Sequence, residues 1–269
     1  MLLCIDIGNT NIKLGLFDDG QPCAHWRIAT DRARLADEYA VLLLNLLAAE
    51  HMTTGDVTGC AISSVVPPLT PVFAELARRY LKQIPIIVGP GVKTGMSIRT
   101  DHPAEVGADL IVNAVAARQL YGTPVIIIGF GTATTFGAVS AQGDFVGVAI
   151  APGVLTGAEA LFRFAAKLPQ VELVRPPHAI GKNTIHSMQS GLVFGFAGLV
   201  EGLVKRMCAE LGGQARVVAT GGLAELVASE TDVIEIVEPN LALIGLRMIY
   251  EMNRDAETRR HASADKVTR

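Results

Sequence analysis

Apolar runs broken by glycine and short polar turns mark most of this chain. Leu2 to Ile7 is a short apolar run ending in Asp-x-Gly, the pattern of a buried strand. Asn11 to Phe17 alternates loosely and reads as a returning strand, with the next turn at Asp18-Asp19-Gly20. Ala24 to Ile28 fits a third strand. Asp37 to Ala49 is rich in Leu and Ala and reads as a helix. Val57 to Val65 is a buried strand stopped by Pro67-Pro68. Thr70 to Lys82 is an amphipathic helix with Pro71 in its tolerated first turn, and Ile84 to Val88 is another strand.

Gly89 to Val106 lacks periodicity and reads as a long loop, a place where function concentrates. Ala108 to Tyr121 then reads as a helix, and Val125 to Ile128 opens a second set of strands. Phe162 to Lys182 is irregular, and Asn183 to Leu211 has the periodicity of one long or two broken helices. Val217 to Ala219 and Val233 to Val237 read as strands, and Leu223 to Ser229 and Leu241 to Asn253 as helices. The alternation predicts α/β layering. The division expected is an N-terminal lobe over 1–117, a C-terminal lobe with a dimerisation region over 118–253, and a flexible charged tail over 254–269.

A repeat gives this pattern a function. Ile5-Asp6-Ile7-Gly8-Asn9-Thr10 has a counterpart in Ile128-Gly129-Phe130-Gly131-Thr132-Ala133. Gly8 and Gly131 lie the same distance apart as Gly20 and Gly143, so each unit is a strand, a glycine turn and a returning strand. Glycine lets backbone amides approach phosphate oxygens, and Asn9, Thr10 and Thr132 add donors. Two ordinary glycine hairpins alike by chance are the bland alternative. Asp6 could hold magnesium, directly or through water, or simply cap its own turn. Lys13 could face phosphate or solvent. Asp109, after Gly107-Ala108, could be a helix cap or the base that takes a proton from an acceptor hydroxyl.

The balance of the composition narrows the classes. Half of the 269 residues are hydrophobic and the net charge is −3, which offers no general affinity for nucleic acid or anionic membrane. No run is long enough to span a bilayer, and the MLLCIDIG start is too short for a signal segment. The four cysteines are scattered, so neither a zinc site nor a disulfide framework is expected, and a cytoplasmic setting fits. No GxxxxGK[ST] loop is present, nor a GxGxxG turn before a helix.

The duplicated turns resemble those of the actin/hexokinase/Hsp70 superfamily. Further segments resemble type III pantothenate kinases, in that family's order from about residue 1 to 253. They are Asp6-Ile-Gly-Asn-Thr-Asn11, Ser63-Ser-Val-Val-Pro-Pro68, Val88-Gly-Pro-Gly91, Glu105-Val-Gly-Ala-Asp109-Leu-Ile-Val-Asn-Ala-Val-Ala-Ala117, Gly131-Thr-Ala-Thr-Thr135, Ile150-Ala-Pro-Gly153, Ala166-Lys-Leu-Pro169, Gly181-Lys-Asn-Thr184, Met188-Gln-Ser-Gly191 and Thr220-Gly-Gly222. The resemblance implies duplicated actin/ribonuclease H-like lobes with an ATP cleft between them. It also implies transfer of the ATP γ-phosphate to pantothenate, the first step of coenzyme A synthesis, by a homodimer using magnesium and a monovalent cation, potassium or ammonium.

Carried over by motif, Asp109 is the proton acceptor. Asp6, Ile7, Gly8, Asn9, Thr10, Asn11, Ile12, Lys13, Gly131, Thr132, Gly221 and Gly222 contact ATP. Gly107, Ala108, Asp109, Leu110 and Thr184 line the pantothenate site, Asp6 serves magnesium, and position 129 serves the monovalent cation. Four positions depart from the family pattern. Leu110 replaces an arginine, Gly129 and Gly137 replace aspartates, and Val148 replaces a glycine. Two readings follow: a working kinase with altered cation or substrate handling, or a weak or inactive relative that binds nucleotides or metabolites.

Overall fold

The computed structural model describes the backbone of residues 1–267 and the side chains of residues 1–254. Beyond Arg254, the expected tail lies outside the described side chains. Among the described residues, ten strands and seven α-helices form two compact units. The first comprises residues 1–96, 102–116 and 241–269, and the second comprises 97–101 and 117–240.

In the first unit, β1 (Leu2–Ile7), β2 (Asn11–Asp18), β3 (Gln21–Ala29), β4 (Gly59–Ser64) and β5 (Ile86–Ile87) form a sheet in the order β3-β2-β1-β4-β5. The β1-β2-β3 meander is antiparallel, and β4 and β5 run parallel to β1. Between β2 and β3, Asp19 and Gly20 both have positive φ, 45° and 79°, as a tight hairpin turn requires. Leu3, Ile5 and Ile7 point to one face, as the period of two dictates, and pack with Tyr39 of α1 (Ala36–Ala49) and Phe73 of α2 (Leu69–Tyr80). On the other face the last helix, α7 (Leu241–Val267), packs on β1, β2 and β4.

The second unit repeats this plan. β6 (Val125–Phe130), β7 (Ala133–Val139), β8 (Phe145–Pro152), β9 (Arg216–Gly221) and β10 (Ile236–Val237) are ordered β10-β9-β6-β7-β8. Read from the other edge, each strand has a counterpart in the first sheet with the same direction relative to its neighbours. Ile126, Ile128, Phe130 and Phe136 build its core with Ala197, Val200 and Val204 of α5 (Thr184–Glu210).

Of the two alternatives open for 183–211, one long helix is the one formed, α5 over Thr184–Glu210. Two features differ from the expectation. Val154–Phe164, for which no element was expected, is the helix α4. The chain also returns to the first unit at Leu241, although reading in chain order keeps 118–253 together. Gly245 explains the last point. It is buried, and a Cβ there would lie 1.9 Å from the carbonyl oxygen of Val112 on α3 (Ala108–Tyr121), so two helix backbones cross in contact.

Candidate active site

Asp6 lies on β1 one residue before the strand's end. The registers set Lys13 of β2 on one side of it and Ser63 of β4 on the other, all three on the same sheet face. Burial pushes the Asp6 pKa up to about 6. The charge of Lys13 opposes that shift, that of Asp109 adds to it, and the neighbouring Ser63 hydroxyl weakly opposes it. The Ser63 hydroxyl is buried and has no hydrogen bond of good geometry among the described residues. Burial likewise lowers the pKa of Lys13, while Asp6 resists the change.

A carboxyl whose pKa rises on folding favours the folded state fully below its unfolded value and loses that contribution as pH rises through about 6. Asp6→Asn should therefore stabilise the ligand-free protein at pH 8, by roughly 1–3 kcal/mol. The gain should shrink as pH falls from 6 toward 4. Thermal melts of both proteins across that range check the sign.

The turn after β1 is tightly pinned. The Gly8 N–H donates to the Asn11 carbonyl at 3.0 Å, and a Cβ on Gly8 would lie 2.9 Å from that oxygen. Thr30 donates through Oγ1 to the Gly8 carbonyl at 2.6 Å and through its N–H to the Thr10 carbonyl at 3.0 Å. Arg32 Nη2 donates to Asn9 Oδ1 at 2.9 Å. The glycine signal marks the turn, but nothing in the spacing announces Thr30 or Arg32 as its braces.

Asp109 stands in the first turn of α3. Its carboxyl folds back over Gly107, where a Cβ would lie 2.5 Å from Oδ1, so a side chain at 107 would push the Asp109 carboxyl from this position. Burial raises the Asp109 pKa above the usual carboxylate range, against the opposing pull of the Leu110 and Asp109 backbone amides. Asp6 feels the Asp109 charge, so the register and the helix start bring the two predicted carboxylates within electrostatic range. Asn113 follows one turn later on α3, with a buried Oδ1 that has no partner among the described residues. Ala108 and Leu110 flank Asp109 and are half-buried.

In the second unit the turn between β6 and β7 is one residue shorter. The Gly131 N–H donates to the Ala133 carbonyl at 3.1 Å. The start of α4 closes on this turn. The Gly153 N–H and Thr156 Oγ1 donate to the Thr132 carbonyl at 3.2 and 2.7 Å, and a Cβ on Gly153 would lie 2.4 Å from the Gly131 and Thr132 carbonyls. Gly221 has φ 106°, and a Cβ there would meet the Phe130 carbonyl at 2.3 Å, so the Thr220-Gly221-Gly222 turn also needs a bare backbone. Thr184 opens α5, capped by Asn183 Oδ1 accepting from the His186 N–H at 2.8 Å. It lines an open groove of about 560 Å³ with Leu161, Leu168, Lys182 and Ser187.

The residues fit magnesium and do not fit an anion-held monovalent cation. Magnesium takes one or two carboxylates and keeps waters, and Asp6 with its unsatisfied Ser63 neighbour matches that need. At Gly129 there is no carboxylate, and the Thr135 hydroxyl lies 2.7 Å from where a Cβ would be. Among the described residues no group of three or more His, Cys, Asp and Glu is gathered to hold a metal ion. No described helix is long and apolar enough to cross a membrane.

The family model for type III pantothenate kinase matches residues 2–206, most of the chain. The chain belongs to the type III pantothenate kinase family. A type III pantothenate kinase of Roseiflexus sp. (strain RS-1) is 60% identical over 254 residues, covering 94% of this chain and all of that protein. One from Moorella thermoacetica is 53% identical over 253 residues, with the same coverage of each. The fold is similar to that of the activator of the 2-hydroxyisocaproyl-CoA dehydratase from Clostridium difficile with bound ADPNP. That protein is 14% identical, with a TM-score of 0.59 and 97% of each chain covered.

Proposed function

We infer that this kinase transfers the γ-phosphate of ATP to the primary hydroxyl of pantothenate, giving 4'-phosphopantothenate, the first step of coenzyme A synthesis. The observation that carries this reading is 60% identity to a type III pantothenate kinase along that protein's entire length. The pantothenate oxygen attacks the γ-phosphorus, the bond to ADP breaks, and Asp109 takes the hydroxyl proton. A carboxyl buried beside a second acid is poised to hold a proton nearer neutrality than a free one, which suits that exchange.

The Asp6 to Lys13 turn, Gly131, Thr132, Gly221 and Gly222 bind the nucleotide through backbone and hydroxyl donors. Gly107, Ala108, Leu110 and Thr184 line the acceptor. Leu110 supplies apolar contact where an arginine would supply a fork of donors. Magnesium, when bound, neutralises phosphate charge, with Asp6 as the protein's carboxylate toward it. The protein works as a cytoplasmic homodimer. The exposed apolar side chains of Val148, Ile150, Phe162, Phe164 and Ile180 support that assembly. The non-catalytic alternative rests on Leu110 and Gly129 alone, and the full-length identity favours the enzyme.

A coupled ADP-release assay tests the reading. Pantothenate should accelerate ADP release by orders of magnitude over ATP alone. Nucleotide binding with no pantothenate-dependent release would support the non-catalytic alternative.

A further inference from the structure

The two sheets can be laid over each other strand for strand, and the comparison singles out one matched pair of side chains. On β1, Asp6 is flanked by Lys13 and Ser63. On β6 the equivalent position is Gly129, flanked by Thr135 of β7 and Thr220 of β9. Ser63 and Thr220 therefore hold the same place in the two sheets. Both are buried, 0% and 5% exposed; the Ser63 hydroxyl faces the Asp6 carboxylate, whereas the Thr220 oxygen has no hydrogen-bond partner among the described residues. A buried hydroxyl left unpaired destabilises a fold, so Thr220, which has no carboxylate beside it as Ser63 has, calls for a partner of its own.

Around Gly129 the three positions form a row on one sheet face. The missing side chain leaves a notch floored by the Gly129 backbone, and the Thr135 hydroxyl leans into it, 2.7 Å from the absent Cβ. The walls are neutral hydroxyls. The notch lies one strand residue before the Gly131-Thr132 turn, and Thr220 immediately precedes the close-packed Gly221.

We propose that Thr135 and Thr220 make a neutral hydrogen-bonding site for a phosphate oxygen of ATP, or the water bound to it, with Thr220 Oγ1 as the principal donor. This rests on the kinase reading and deepens it. Thr220 is a nucleotide-positioning residue, and the second strand end works by hydroxyl donation rather than through an ion held by a carboxylate. A hydroxyl is an adequate donor to phosphate, and an uncharged site needs no counter-ion in the ligand-free state.

Calorimetric titration with ATP and magnesium tests this on wild type, Thr220→Val and Thr220→Ser. Valine keeps the shape and removes the hydroxyl. The expected result is an ATP affinity about tenfold or more weaker in Thr220→Val and within about twofold of wild type in Thr220→Ser. Ligand-free Thr220→Val should melt no lower than wild type, because an unpaired hydroxyl has been replaced by a methyl. A threonine with a purely structural role would lower the melting temperature and leave affinity unchanged. Wild-type affinity should also be the same in potassium and tetramethylammonium chloride. Equal affinity in wild type and Thr220→Val, or marked tightening by potassium, overturns the proposal. Absence of ATP binding by wild type would instead overturn the kinase reading beneath it. Thr135→Ala, expected to weaken ATP binding by a smaller factor, provides a second variant if Thr220→Val fails to fold.

Discussion

Asp109→Asn should lower kcat for pantothenate phosphorylation by about 10²–10⁴-fold while ATP affinity stays within about twofold. Asparagine keeps the size of the side chain and its place over Gly107, but it cannot take a proton. The loss should therefore appear in turnover and not in nucleotide binding. The Asp109 pKa is raised by burial, and the neighbouring Asp6 titrates at about 6. Both must be ionised for the reaction as written, one to accept the proton and one to face magnesium. The acid limb of kcat/KM should accordingly lie near pH 6, well above the range of a free carboxyl, and belong to the pair. Steady-state kinetics from pH 5 to 8 with wild type, and single-turnover rates with Asp109→Asn, check both statements. A variant that turns over at even a tenth of the wild-type rate removes Asp109 from the role of base.

Gly245→Ala should destabilise the protein by roughly 3 kcal/mol or more and lower its melting temperature by about 6–12 °C. In an ordinary helix this substitution is stabilising by up to about 1 kcal/mol, so the sign alone is diagnostic. Here the new Cβ would sit 1.9 Å from the Val112 carbonyl oxygen and 2.7 Å from its carbon. Both are backbone atoms of α3, which cannot swing aside as a side chain can. The helices must separate, and α3 carries Asp109 three residues before Val112. Circular dichroism melts should show the loss, and residual activity should fall more than the folded fraction does. A melt equal to or above wild type would mean that the α3–α7 crossing is looser than the structure has it.

Much of this architecture was legible because strands and glycine turns write themselves locally. The runs Leu2 to Ile7 and Val125 to Ile128 are apolar and bounded, and Gly20 and Gly143 both take positive φ at hairpin turns. What escaped depends on distant parts of the chain. The segment Val154 to Phe164 follows Pro152-Gly153 and exposes Leu155, Phe162 and Phe164, so its pattern lacks a clean polar face. The return of Leu241 onward to the first unit turns on Gly245 meeting Val112, more than a hundred residues earlier.

The site divides in the same way. Asp6, Gly8 and Gly131 stood out through turn chemistry, whereas Asp109 read equally as a helix cap and entered the candidate site through the resemblance of its Gly-Ala-Asp segment. Ser63, Thr135 and Thr220 acquire their places only through strand register, which pairs residues far apart in the chain. Thr30 and Arg32 were likewise silent. A threonine and an arginine after a strand carry no signal until the chain brings them against Gly8 and Asn9.

Phosphorus NMR of wild-type protein incubated with ATP, magnesium and pantothenate tests the central claim most directly. The account predicts a phosphomonoester resonance that grows in step with ADP, requires pantothenate, and is missing when Asp109→Asn replaces wild type. ATP loss that yields only inorganic phosphate, or a phosphomonoester formed equally well by the variant, would contradict it.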